Sequence, residues 1–83
     1  MKLEIITPNI HLHYDNVHYV SLPSIQGECG ILPQHVHAAI ALQKGVLQYK
    51  EGNATTTTSY PISDGVAIVK ENVVRVLTES IAL

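Results

Sequence analysis

The chain has 83 residues, five Lys and Arg against seven Asp and Glu, a formal charge of −2 and a single cysteine, Cys29. That length allows one domain burying about 60 to 65% of the surface its unfolded chain exposes, and a single cysteine excludes an internal disulfide. The near-balanced charge, with no basic block, argues against a nucleic-acid partner, and no apolar run is long enough for a membrane-spanning helix or a signal-peptide core. Charged residues make up 14% of the chain, against about 25% in an average domain, so part of the surface is expected to be covered.

Lys2 to Thr7 partly alternates apolar and polar residues and ends on Pro8-Asn9, which predicts a strand closed by a turn. Ile10 to Tyr14 alternates again, Ile10, Leu12 and Tyr14 against His11 and His13. Asp15-Asn16 reads as the turn that folds it onto Val17 to Leu22 as a hairpin. From Leu22 to Gly45, Pro23, Gly27, Gly30, Pro33 and Gly45 recur at close intervals, which predicts a tightly turned loop. Within it His37 to Leu42 is ambiguous, alanine-rich enough for a short helix yet confined by turn residues to the length of a strand.

Gly45 to Lys50 reads as a strand ended by Glu51-Gly52-Asn53. Thr55 to Thr58 reads as a β-branched strand with a solvated face, limited to an edge or a bulge by Pro61. Val66 to Val69 and Val73 to Thr78 form a last hairpin about Glu71-Asn72. Short strands recurring about every ten residues, without a convincing helix, predict an all-β fold, a sandwich or barrel of about eight to ten strands.

In that last hairpin, apolar residues occupy both strand faces. Only one face can enter a two-layer core, so the other, with Val69, Val73 and Leu77, is a candidate partner surface; the alternatives are a central strand pair with a covered outer face and aliphatics exposed without consequence. Burying four such side chains against a partner contributes about 6 to 12 kcal/mol before the costs of association.

Five histidines raise the question of a metal. His11 and His13 share a strand face, and His18 would approach them across the expected hairpin, an arrangement suited to catalytic zinc. The sequence fixes no Asp, Glu or Cys beside them, and the polar face of a strand is where histidines ordinarily sit, so no metal or other cofactor is assigned. His35-x-His37 evokes the cupin metal pair, but Ala41 and Leu42 stand where its Glu is needed. Cys29 and His35 lack an orienting third group, and Glu28 beside Cys29 disfavours the thiolate, so no catalytic residue is assigned.

Leu22-Pro23, Gly27, Gly30-Ile31-Leu32-Pro33 and His35 together resemble the L-P-G-x-x-G-x-x-G-[IV]-L-P-x-H-A-P pattern of epsilon subunits of F-type ATP synthases. Met1-Lys2-Leu3-Glu4-Ile5 and Ser63-x-Gly65-x-x-x-Val69-Lys70-x-Asn72-x-Val74 are similar to the same family. Ser24, His37 and Asp64 depart from it, standing where Gly, Pro and one of a Gly pair are usual. The resemblance implies that His37 to Leu42 is a strand and that residues 1–83 form the N-terminal epsilon domain, a two-sheet antiparallel β-sandwich.

The function it implies is that of a noncatalytic rotor part, peripheral at the cytoplasmic face of the membrane. Such a part clamps the gamma subunit to the ring of membrane c subunits and couples ion flow to ATP synthesis. Glu28 would then face the polar loops of the ring, with Leu32 and His35 in the same lower region beside the gamma subunit. Longer family members continue into a C-terminal helical hairpin, whose roles do not carry over. Two other readings stay open, a small metal-dependent β-sandwich protein using the clustered histidines and an adaptor that kept the fold with a changed partner. Self-association of the isolated chain is open too.

Overall fold

In the computed structural model, which describes residues 1–34, 37–53 and 55–82, every regular element among the described residues is a β-strand. The strands are β1 (Lys2–Ile6), β2 (His11–Tyr14), β3 (Val17–Ser24), β4 (Gly27–Ile31), β5 (Ala38–Leu42), β6 (Gly45–Glu51), β7 (Thr58–Ile62), β8 (Gly65–Lys70) and β9 (Val73–Thr78). They join in one hydrogen-bonded path, β2-β1-β9-β8-β5-β3-β6-β7, with β4 on the remaining edge of β3. The path is thinnest between β5 and β3, where only Ser24 and Leu42 pair. There the sheet folds over, so that β2-β1-β9-β8-β5 faces β7-β6-β3-β4 across the core.

The expected sandwich is therefore one curled sheet, and it is not wholly antiparallel. β1 runs parallel to β9, with Leu3 beside Val74 and Ile5 beside Val76. All four residues are at most 1% exposed. Leu22, Ile31 and Leu47 meet them from the other layer, fully buried, and this two-sided burial of strand residues at period two is what selects the register.

The Asp15-Asn16 hairpin does not form. β2 folds back on β1 instead, pairing Tyr14 with Leu3 and His11 with Ile6. Its turn is held by Thr7, whose hydroxyl oxygen accepts the Ile10 N–H at 2.9 Å. Pro8-Asn9 is the centre of that hairpin, and Asp15-Asn16 carries the chain across to the other layer, where Val17 is 1% exposed.

The Pro- and Gly-rich stretch is also more regular than its composition suggests, because β3 and β4 form a hairpin inside it. Ser24 closes the turn, its hydroxyl donating to the Gly27 carbonyl at 2.6 Å and accepting the Gln26 N–H at 3.1 Å. Gly27 takes φ +119°, which a side chain would resist. At the far end, β5 passes to β6 where a Cβ on Gly45 would lie 2.6 Å from the Pro23 ring.

The threonine run is strand only from Thr58, and β7 is an edge that places Pro61 opposite Val46. An edge is where a residue without an N–H costs least. The β8–β9 hairpin turns on Glu71 and Asn72, both left-handed at φ 53° and 63°, the two-residue geometry that matches the twist of its strands.

Candidate functional site

Two outward surfaces carry the residues singled out in the sequence. The first lies on β3 and β4. Val20, Leu22 and Ile31 point inward and are fully buried, so alternation turns Tyr19, Ser21, Glu28 and Gly30 outward. Glu28 accepts a hydrogen bond from the Ser21 hydroxyl at 2.8 Å. With Lys44, Val46 and Gln48 it lines a shallow groove.

Leu32, just past β4, is 61% exposed, and Ile25, at the β3–β4 turn, is 62% exposed. Glu28 is thus flanked by an exposed aliphatic at each end of β4. Sequence reasoning missed Ile25; its signal was an isoleucine between Ser24 and Gly27, where a tight turn has no use for an apolar side chain. His35 lies outside the described residues.

The second surface is the outer face of β8 and β9. Val69 is not part of it, because alternation sends Ala67, Val69, Val74 and Val76 into the core, each at most 2% exposed. The outward set is Val66, Ile68, Val73 and Leu77, and Ile68 is 39% exposed. Ile6 beside Leu77 and Ala39 and Ala41 beside Ile68 and Val66 extend this apolar face onto β1 and β5. Val73 and Leu77 are on this outward face, together with Ile68 and Val66, and Val69 is in the core.

A charged pair, Glu4 and Arg75, lies within that face, with Arg75 between Val73 and Leu77 and opposite Ile68. One Glu4 oxygen accepts from Arg75 Nε at 2.9 Å and Nη2 at 2.8 Å, while the other lies 3.2 Å from His11 Nε2. The hydrogen bond from Arg75, more than that from His11, holds the Glu4 carboxyl below its ordinary range against a smaller opposing effect of desolvation.

The three-histidine arrangement is overturned by the strand pairing. With β2 on β1, His11 reaches Glu4 and His13 lies 2.9 Å from Asp15. His18 sits at a register irregularity of β3, near Asn16, Gly52 and Asn53. Among the described residues no three His, Cys, Asp or Glu side chains converge as a metal site. Cys29 is half-buried, opposite Leu22.

The three departures from the family pattern each have a local setting. Ser24 closes its turn, His37 Nε2 accepts the Glu71 N–H at 3.4 Å, and the Asp64 carbonyl accepts from the buried Thr78 hydroxyl at 3.1 Å.

A tyrosine cluster went unremarked in the sequence. Tyr14 and Tyr60 share a hydroxyl hydrogen bond of 2.9 Å, and the Tyr49 ring lies 4.6 Å from that of Tyr14 and 6.0 Å from that of Tyr60. Burial first, then the bond to Tyr60, pushes the Tyr14 hydroxyl well above the ordinary phenol range. No local spacing reveals such a group, since Tyr14 on β2 is far in sequence from Tyr49 and Tyr60 on the paired strands β6 and β7.

The family described as ATP synthase, Delta/Epsilon chain, beta-sandwich domain matches over residues 1–83. The chain is 42% identical over 80 residues to the ATP synthase epsilon chain of Lawsonia intracellularis, spanning 96% of this chain and 59% of that one. It is likewise 42% identical over 80 residues to the epsilon chain of Nitratidesulfovibrio vulgaris strain Miyazaki F, spanning 96% and 58%. The chain therefore covers less than two thirds of the length of these relatives.

Among solved structures it resembles a chain of the Tetrahymena thermophila mitochondrial ATP synthase central stalk and c-ring. The TM-score is 0.84 at 14% identity over 99% of this chain and 65% of that one. A chain of the Euglena gracilis mitochondrial ATP synthase gives 0.85 at 24% identity over 96% and 51%. At those identities the likeness is one of fold.

Proposed function

This chain belongs to the ATP synthase delta/epsilon β-sandwich family, and we propose that it is a noncatalytic part of the rotor in an F-type ATP synthase. It links the gamma subunit to the ring of c subunits at the cytoplasmic face of the membrane, and so helps couple ion flow to ATP synthesis. The observation that carries this reading is the pair of outward surfaces on one small rigid fold. A part gripped by two neighbours needs two faces, and each one here combines outward-facing aliphatics with a charged group among them.

On this reading Glu28 and Leu32, with His35, meet the ring and the base of the gamma subunit, and Ile25 joins them. Val73 and Leu77, with Ile68 and Val66, form the second contact. The mechanism is packing and electrostatic complementarity, with torque borne by a core whose strands cannot slip register without turning their apolar side chains outward. The test is reconstitution of the chain with purified gamma subunit and c-ring. Recovery of all three in one complex is expected; a chain that joins neither component overturns the reading.

A further inference from the structure

We propose that Ser21 is a positioning residue for Glu28, holding its carboxylate as a preset acceptor for a hydrogen-bond donor on the docking partner; this rests on the reading of Glu28 as an interface residue. Ser21 lies on β3 between Gly30 of β4 and Gln48 of β6. Its side chain points outward, yet the residue is only 2% exposed. An outward serine is buried only if something lies over it; the Glu28 side chain bonds to it, and the Tyr19 ring lies over the neighbouring Gly30.

The cross-strand register explains how Glu28 gets there. Glu28 pairs with Pro23, so Ser21 is its diagonal neighbour, an offset that only long side chains span. The residue directly opposite Ser21 is Gly30, which has no side chain to stand between Ser21 and Glu28. The Tyr19 ring packs against that glycine instead, since a methyl group on Gly30 would sit 3.3 Å from the Tyr19 hydroxyl. Glu28 therefore leans along the sheet toward Ser21 while remaining exposed.

The chemistry of the pair is one-directional. A serine hydroxyl has one proton to give, and Ser21 gives it to Oε1 at 2.8 Å. A carboxylate has about four acceptor positions, and among the described residues no other group hydrogen-bonds this one. Its remaining positions stay available beside the groove lined by Lys44, Val46 and Gln48. The partner group that fits is a cationic or amide hydrogen-bond donor. A glutamate already fixed in its rotamer loses less freedom on docking than one that must be immobilised there.

The experiment measures the dissociation constant of the chain for purified c-ring carrying the gamma subunit, in detergent. The proteins compared are the wild type, Ser21→Ala, Ser21→Thr, Glu28→Gln and the Ser21→Ala/Glu28→Gln pair. Ser21→Ala is expected to weaken binding about three- to tenfold, the range one hydrogen bond supports. Ser21→Thr, which keeps a hydroxyl, is expected to restore it, and Ser21→Ala is expected to add nothing once Glu28 is Gln. In the free chain, side-chain scalar couplings of Glu28 should change from one rotamer to an average in Ser21→Ala.

A Ser21→Ala chain with the wild-type dissociation constant and an unmoved Glu28 rotamer overturns the proposal, even if it melts earlier. Additive losses in the pair overturn it too. A wild-type chain that does not bind the ring refutes the interface reading itself, whereas loss on Glu28→Gln with none on Ser21→Ala refutes positioning alone.

Discussion

The hydroxyls of Tyr14 and Tyr60 meet at 2.9 Å and so join the first and last strands of the hydrogen-bonded path, β2 and β7. A sheet that curls over has two free edges to bring together, and here side chains close the gap that backbone pairing leaves. Either Tyr14→Phe or Tyr60→Phe should cost about 0.5 to 1.5 kcal/mol in urea unfolding, and the double change should cost little more than one alone. Fully additive losses would show that the bond contributes nothing.

The same cluster sets a limit on alkaline stability. Tyr14 holds its proton more tightly when folded than when unfolded. A raised folded-state pKa gives stability that is intact below the unfolded value, about 10, and is lost as the pH climbs beyond it. Unfolding midpoints should therefore begin to fall above about pH 10, and the fall should be shallower in Tyr14→Phe. Glu4 works in the opposite sense. Its carboxyl is held below the ordinary range, so its contribution is present above the unfolded carboxylate value and fades as the pH falls through the folded one.

Two glycines separate backbone collision from side-chain collision. A Cβ on Gly65 would stand 2.1 Å from the Leu77 carbonyl oxygen, and one on Gly30 would stand 3.3 Å from the Tyr19 hydroxyl. The β8–β9 ladder cannot yield without breaking its pairing, whereas a tyrosine can swing aside. Gly65→Ala should cost about 3 kcal/mol or more and Gly30→Ala under about 1 kcal/mol, read from denaturant midpoints.

Thr78 is 6% exposed, and its hydroxyl lies 3.0 Å from the Ser63 carbonyl, 3.1 Å from that of Asp64 and 2.9 Å from the Ser63 hydroxyl. Thr78→Val keeps the shape and removes the polar atom, leaving these partners short of a donor. A loss of about 1 to 3 kcal/mol is expected in thermal or urea unfolding. A neutral result would mean that water reaches the site.

The outer face of β8 and β9 predicts a division between stability and binding. Val69→Ala, in the core at 2% exposure, should lower stability by about 2 kcal/mol. Ile68→Asp should leave the midpoint nearly unchanged and weaken recovery with the gamma subunit, and Leu77→Ser, at a half-buried position, should weaken recovery with some loss of stability. Equal recovery with all three chains would remove this face from the interface.

Much of the strand content was legible because alternation of side chains is local. Leu3 and Ile5 against Lys2 and Glu4, or Val74 and Val76 against Arg75, announce a strand wherever it later pairs. Pairing is not local, and that is where reading the sequence failed. Asp15-Asn16 and Pro8-Asn9 are both competent turns, and only the burial of Val17 in the opposite layer decides between them. Val69 and Ile68 are equally apolar, and their faces are assigned by the partners across the ladder, Val74 and Arg75. Glu28 and Leu32 could be named from a motif, but Ser21 could not, since its bond to Glu28 is a diagonal contact across the ladder beside a glycine.

The parallel contact of β1 with β9 has a consequence for synthesis. The first strand of this domain to be made takes its lasting neighbour from among the domain's last residues, so the hairpin of Leu3 to Tyr14 must wait with one flank bare. Contacts of such wide sequence separation slow folding and lengthen exposure of apolar edges. A nascent chain halted before residue 73 should be soft to proteases, and release of a few more residues should harden it abruptly.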